Sequence, residues 1–429
     1  MISSLPSRGQ SLAANPARID LELFMQAAQD LYDPVDNPGG KFPLNVAENC
    51  PMIPVVKEKL DQILADSCIP EWTFQYTATT GHPEVREKVA QFLSKHLCGV
   101  EIHPDHIGFS AGASAIIEVS SFVLADPGDV AVIPAPSYPM YTKDLGLKSG
   151  MERYDLQTHV ELADHGIGGP VTTAMLDEAL SDIQSQGKTF RLLLLSSPDN
   201  PTGCMYSEAR LRKLASWCHD HEIHLVVNEI YGLSTIHSED SAPEKSFATI
   251  MAELKSPFLH LWYALSKDFA MSGFRFGLVH SLNEAFLTGF SNANIPHMVS
   301  NLTQWLVGEM FSDETFLDAY GVLNRERLTR SYQVVTTALD QVGIPYIPAQ
   351  GSLFVWADFS KFLGEDSDQG QEQLWMDIFH GSGVLLTPGA GFGHQKKGLF
   401  RLVHTAIPTD HLSVGMERMV AYLSKRSNA

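Results

Sequence analysis

The chain has 429 residues, 44% hydrophobic and 19% charged, a composition that suits a large folded domain plus a smaller one and excludes a disordered or fibrous chain. Thirty Lys and Arg stand against fifty Asp and Glu, a formal charge of −20, so a nucleic acid or an anionic membrane would be repelled and neither is expected as a partner. The five cysteines (Cys50, Cys68, Cys98, Cys204, Cys218) are odd in number and lack CxxC spacing, so no disulfide framework or zinc site follows, and a reducing cytoplasm is the expected compartment.

In chain order, MISSLPSRGQSLAANPARID (residues 1–20) has no apolar core for a signal peptide, although its Arg and Ser content resembles that of an organelle presequence. No apolar run reaches the length of a membrane span. Residues 1–50, rich in Pro, Asn and Gly, read as an arm that packs on the C-terminal domain or on another subunit. Residues 51–320 carry short apolar runs, each followed by an amphipathic segment: DVAVIPAP from Asp129, RLLLLSSP from Arg191, HLVVNEIY from His224 and FLHLWYALS from Phe258. That rhythm predicts an α/β domain with a mostly parallel, buried sheet. Between two of these runs, SEARLRKLASWCHDHE puts Leu211, Leu214, Ala215 and Cys218 on one helical face, and the strand-helix-strand crossover is expected to be right-handed. From 321 to 429 a long helical pattern gives way to short strands around GSLFVWADF and GLFRLVHT, the texture of a smaller α+β domain, with GEDSDQGQEQ (364–373) expected as an acidic surface loop.

Ligands of such sheets collect beyond the carboxyl ends of the strands. FSAGASAIIEV, from Phe109, places small residues at a strand-to-helix turn, where free N–H groups and the Ser114 hydroxyl suit a phosphate; close packing explains the small residues equally well. SSPDNPTG (196–203) leaves Asn200 at the sheet edge, in what is otherwise a plain turn. YALSKDFAMSGFRFG (263–277) ends an apolar strand in Ser266 and Lys267 and places Arg275 eight residues further on. A lysine there is either a snorkelling surface group or one that is paired, neutralised or covalently used, because burial disfavours its charge. CHDHEIH (218–224) falls at the opposite end of the sheet with no ligand spacing and reads as a solvated loop, so no metal is expected.

Together these stretches resemble the fold-type I pyridoxal-phosphate enzymes of the aminotransferase class I/II superfamily, from about Asn45 to Arg401. The resemblance implies a mostly parallel large domain, a smaller α+β C-terminal domain, bound pyridoxal 5'-phosphate, and a homodimer with shared active sites. It further implies that Lys267 attaches the cofactor, that Asn200 and Tyr231 bond its phenolic oxygen, and that Tyr138 stacks on its ring. Ala113, Ser114, Ser266 and Arg275 would hold the phosphate, and Arg401 the α-carboxylate of an amino-acid substrate. LNVAENCPM (44–52), ILADSCIPEW, LADPGDVAVIPAPSYP and SKDFAMSGFRFG are closest to 1-aminocyclopropane-1-carboxylate synthases and their relatives, in which an acid at the position of Glu48 helps to recognise S-adenosylmethionine. Glu48 is alternatively a cap that orders the arm.

Three positions depart from that pattern. Asn228 stands where the family has an aspartate that keeps the cofactor's ring nitrogen protonated, so the electron sink is expected to be shallower. Such a change either damps side reactions, follows a loss of catalysis, or was introduced into the sequence. Thr79 replaces a tyrosine that reaches across the dimer to the phosphate, with Tyr76 three positions too early to take its place; Ala264 replaces a phosphate-binding serine. The leading expectation is chemistry at Cα and Cγ, elimination or substitution, on S-adenosylmethionine or a similar amino acid. An aminotransferase and a catalytically silent cofactor-binding protein are the alternatives.

Overall fold

The computed structural model describes residues 4–14, 19–158, 169–236 and 245–427; part of the N-terminal stretch read as an arm lies outside the described residues. Seven strands among them form one sheet: β1 (Ile107–Ser110), β2 (Val130–Ala135), β3 (Glu152–Gln157), β4 (Phe190–Ser196), β5 (His224–Asn228), β6 (Leu259–Ala264) and β7 (Gly277–Ser281). Their spatial order is β1-β7-β6-β5-β4-β2-β3, with only β7 antiparallel to its neighbours. The predicted runs are therefore strands, and their unbroken apolarity has a simple cause: both faces are covered. In β4, Leu193 and Leu195 join one apolar cluster with Val227 and Leu261, while Leu192 and Leu194 join another with Val226, Trp262 and Ile116. Alternate side chains thus enter opposite layers.

Helix α1 (Ala113–Leu124) follows β1, and helix α2 (Glu208–Asp220) joins β4 to β5 with Leu211, Leu214, Ala215 and Cys218 buried as the periodicity predicts. Ser207 caps α2 by accepting from the Arg210 N–H at 3.3 Å. A one-turn helix, α3 (Leu265–Asp268), ends β6. Helix α4 (Glu314–Gln341) runs 28 residues without a break through position 320, where the sequence suggests a domain boundary. Its Leu317 and Tyr320 sit in the apolar cluster of the large sheet, its Val335, Ala338 and Leu339 in that of the C-terminal part.

The C-terminal part has an antiparallel sheet of β8 (Phe354–Asp358), β9 (Thr387–Pro388) and β10 (Leu399–Val403), with β10 central. Helices α5 (Asp368–Ser382) and α6 (Thr409–Ser427) accompany it. One expectation needs correcting: the acidic stretch 364–373 is a loop only as far as Ser367. Ser367 Oγ accepts the Gly370 N–H at 3.0 Å and starts α5, which puts Asp368 in its first turn, where the helix dipole favours negative charge. The arm packs on this C-terminal part: Phe42–Pro43 pairs in parallel with Val384–Leu385, and Leu23, Ala27 and Leu44 share its apolar cluster.

Candidate active site

A cavity of about 440 Å³ opens beyond the carboxyl ends of the parallel strands. Every residue singled out as a site residue lines it: Glu48, Ala113, Ser114, Tyr138, Asn200, Asn228, Tyr231, Ser266, Lys267, Arg275 and Arg401. The strand ends explain the convergence. Asn200 follows β4, Asn228 closes β5, Lys267 follows β6, Tyr138 follows β2, and β10 brings Arg401 in from the C-terminal sheet. Tyr138 stands edge-on to Tyr141, ring centroids 5.2 Å apart.

Lys267 is largely withdrawn from solvent and turned inward rather than snorkelling. Its Nζ donates to the Ala47 carbonyl, and its own carbonyl accepts from Asn49 Nδ2 at 3.2 Å. Burial is the main cause that draws the ammonium down to about 8; Glu48 opposes the shift, and Arg401 and Arg275 add to it. Glu48 Oε2 in turn accepts from Ser272 Oγ at 2.7 Å, and the same hydroxyl lies 2.9 Å from the Ser266 carbonyl.

The turn before α1 forms a cradle. Gly112 has φ +89° and ψ 175°, a conformation open essentially to glycine, and a Cβ there would lie 2.5 Å from Arg275 Nη2. Gly277 packs as tightly on the other side, where a Cβ would meet the Gly112 carbonyl carbon at 2.7 Å. Arg275 itself is left-handed, φ +54°, and its Nη1 donates to the Ser272 carbonyl at 2.8 Å. The guanidinium is thus held against the amino end of α1 at a cost in backbone strain of the kind that persists at functional sites. Ser114 Oγ lies 3.3 Å from Asp144 Oδ2, and burial raises that carboxyl to about 6.

Arg401, 6% exposed, donates to Asn200 Oδ1 at 3.0 Å and to the Asn45 carbonyl at 2.7 Å. Its guanidinium carbon lies 4.7 Å and 5.0 Å from the ring centroids of Phe354 and Phe392, so aromatic faces fix the plane of the fork. Asn228 is buried in a small polar set: Nδ2 donates to the Tyr141 hydroxyl at 3.0 Å, Oδ1 accepts from the Ile230 N–H at 3.2 Å, and the Tyr141 hydroxyl lies 2.9 Å from Ser196 Oγ.

Thr79 is outside the cavity. Its hydroxyl pairs with Ser291 Oγ at 2.7 Å, and Tyr76 is fully exposed. The histidines of 218–224 go to separate partners: His219 to Ser256, His221 onto Trp217, His224 to His260. Sequence reasoning missed Asn45, Ala47, Asn49, Tyr141, Ser196 and Ser272. All six lie inside or beside quoted motifs, Asn45, Ala47 and Asn49 around Glu48, Tyr141 three residues after Tyr138, Ser196 at the start of SSPDNPTG and Ser272 within YALSKDFAMSGFRFG, but nothing in one dimension says that they turn inward. Asp268 was also missed. It is fully buried and pushed up to about 7 by desolvation, and it accepts from Ser234 Oγ at 2.6 Å, the Leu233 N–H at 2.9 Å and the Tyr263 hydroxyl at 3.0 Å. It ties the lysine turn to the segment that follows Tyr231.

The profile of the family described as "Aminotransferase class I and II" matches residues 41–419. The chain belongs to this family. Like its other members, this aminotransferase class I and II protein is a pyridoxal-phosphate-dependent enzyme. It is 29% identical to 1-aminocyclopropane-1-carboxylate synthase 6 of Oryza sativa subsp. japonica, over 92% of this chain and 74% of the relative. It is 28% identical to 1-aminocyclopropane-1-carboxylate synthase of Nicotiana tabacum, over 93% and 82%. In fold it is similar to a double mutant of Thermus thermophilus aspartate aminotransferase, with a TM-score of 0.78 at 20% identity over 98% of this chain and all of that one. The family's cofactor fits the residues present: an inward-turned lysine with a lowered pKa, a turn at Gly112 too tight for a Cβ, and the Arg275 guanidinium held against that turn. No helix among the described residues is long and apolar enough to cross a membrane.

Proposed function

We propose that this enzyme acts at Cα and Cγ of S-adenosylmethionine or a similar L-amino acid carrying a γ leaving group, by elimination or substitution. The observation that carries the reading is one cavity lined by Arg401 for a carboxylate, Lys267 for a proton and Glu48 for a distal cation. Pyridoxal phosphate, held through Lys267, supplies the electron sink that stabilises charge at Cα. Ala113, Ser114, Ser266 and Arg275 would hold its phosphate, Asn200 and Tyr231 its phenolic oxygen, Tyr138 its ring face, and Asn228 its ring nitrogen.

The substrate carboxylate enters opposite Arg401, whose fork is pre-set by Phe354 and Phe392. Lys267, drawn down to about 8, has an appreciable free-amine fraction near neutral pH and can take the α-proton as a general base. Glu48 offers a carboxylate to a sulfonium or ammonium group, and its bond to Ser272 fixes its direction. The enzyme works as a cytoplasmic homodimer.

The test adds S-adenosylmethionine to the purified yellow protein while the absorbance of the lysine-bound cofactor is recorded and mass spectrometry follows methylthioadenosine. Release of methylthioadenosine with a four-carbon amino-acid product is the expected result. No spectral change and no release would remove S-adenosylmethionine as sole substrate, and appearance of a keto acid with pyridoxamine phosphate would point to transamination. Lys267→Ala should lose the visible band; a wild-type spectrum in that variant would reject the role of Lys267.

A further inference from the structure

The substitution at 228 is embedded in an arrangement that has its own chemical sense. Ser196 and Asn228 are register partners on adjacent parallel strands, so their side chains leave the sheet on the same face. Tyr141, 3% exposed at the start of the helix Tyr141–Gly146, lies over both.

The direction of the two Asn228 hydrogen bonds follows from what their groups can do. The Ile230 N–H can only donate, so the end of the Asn228 amide that meets it must be the carbonyl, Oδ1. The NH2 end must then face Tyr141, whose oxygen accepts from Nδ2 and whose hydroxyl also pairs with Ser196 Oγ. Burial pushes the Tyr141 phenol up to about 12, so it stays protonated and neutral near physiological pH. The carboxylates close enough to act on Tyr141, Asp144 and Asp199, are engaged elsewhere, with Ser114 and with Thr202. No acid is among the hydrogen-bond partners found for Asn228.

Nδ2 carries two hydrogens and Tyr141 takes one; Asn228 lines the cavity, and the second N–H is what its amide has left to donate. A pyridine nitrogen is an acceptor for such a donor. A pyridinium would have to compete with the Ile230 N–H for Oδ1 and would bring a positive charge into a buried, neutral set of groups.

We propose that Tyr141 is a positioning residue that locks the Asn228 amide with its N–H end toward the cofactor, and that this pair holds the cofactor's ring nitrogen unprotonated. The proposal rests on the reading that residue 228 faces that nitrogen. It makes the neutral ring a built feature of this site, with Tyr141 and Ser196 as its supports, and a neutral ring is the weaker electron sink.

The experiment loads the enzyme with pyridoxal 5'-phosphate carrying nitrogen-15 in the ring and reads the ring-nitrogen resonance near neutral pH in the wild type, Tyr141→Phe and Asn228→Asp. Expected are a hydrogen-bonded neutral-pyridine resonance in the wild type, a shift in Tyr141→Phe toward pyridine lacking a donor, and a move into the pyridinium range in Asn228→Asp. A pyridinium resonance in the wild type overturns the proposal, and identical resonances in the wild type and Tyr141→Phe overturn the role of Tyr141. An intact visible band with no difference between Asn228→Asp and the wild type overturns the proposal while the lysine assignment stands. Loss of the band in the wild type, with the protein folded, overturns the site reading and the proposal together.

Discussion

Lys267 is held at both ends by one short stretch of the arm, with the Ala47 carbonyl at its Nζ, Asn49 at its carbonyl, and Glu48 between them as the nearest negative influence on its charge. Only the neutral amine can attach the cofactor. Attachment of pyridoxal phosphate to the apo-enzyme should therefore be slow below pH 8, rise through it, and level off above. Since Glu48 favours the ammonium, Glu48→Gln should move that midpoint lower; stopped-flow absorbance against pH checks both, and a midpoint that rises in the variant would contradict the sign. Gly112 invites a second test at this scale. Alanine there is strained by the positive φ and displaces the Arg275 guanidinium, so cofactor affinity should fall about five- to 150-fold for a cost of roughly 1–3 kcal/mol. Equilibrium dialysis measures it, and unchanged affinity would remove the cradle from the phosphate site.

At the scale of elements, the site is assembled by anchoring short turns to long supports. Helix α3 is one turn, too short to hold itself, and Tyr320 on α4 donates to the Asp268 carbonyl at 2.7 Å to pin it. Asn324, one turn further along α4, receives Asn49 Nδ2 at 2.9 Å and donates to the Leu233 carbonyl at 3.3 Å. One helix thus fixes the arm, the lysine turn and the segment after Tyr231 relative to each other. Away from the site, α5 shows the cost of a missed cap. Ser367→Ala should lower stability by about 1 kcal/mol with no effect on cofactor binding, as read by denaturant midpoint and visible absorbance. A loss of cofactor would mean that α5 supports the cavity.

For the whole molecule, the exposed apolar side chains on one region stand out. Phe74 and Tyr76 are 81% and 101% exposed on a segment whose Gln75 carbonyl accepts from Asn301, and Ile295 (63%) and Leu302 (42%) lie on that neighbouring segment. Exposed apolar side chains grouped on two neighbouring segments suit an interface. Covering it with a second copy agrees with the proposed homodimer, and the double change Tyr76→Asp, Ile295→Asp should give monomers in sedimentation velocity at micromolar concentration. An unchanged dimer would place the interface elsewhere.

The strands, the helical faces and the polar groups at strand ends were legible in one dimension because they depend on local periodicity and on turn chemistry: β4, α2, Asn200 and Lys267 are where the pattern of the chain puts them. The start of α5 was not, since a single hydroxyl at Ser367 decided between loop and helix. Nor was the support of the site. Tyr141 and Asn228 are 87 residues apart, and Asn49 and Asn324 are 275 apart. Which polar side chain meets which is settled only when the sheet order brings distant segments to one edge. The sequence by itself determined the chemistry available in the cavity, because residue types at strand ends carry it. Only the tertiary structure decided that Lys267 turns inward and is drawn down toward neutrality, and which way the Asn228 amide points, because desolvation and hydrogen-bond direction are properties of the assembled neighbourhood.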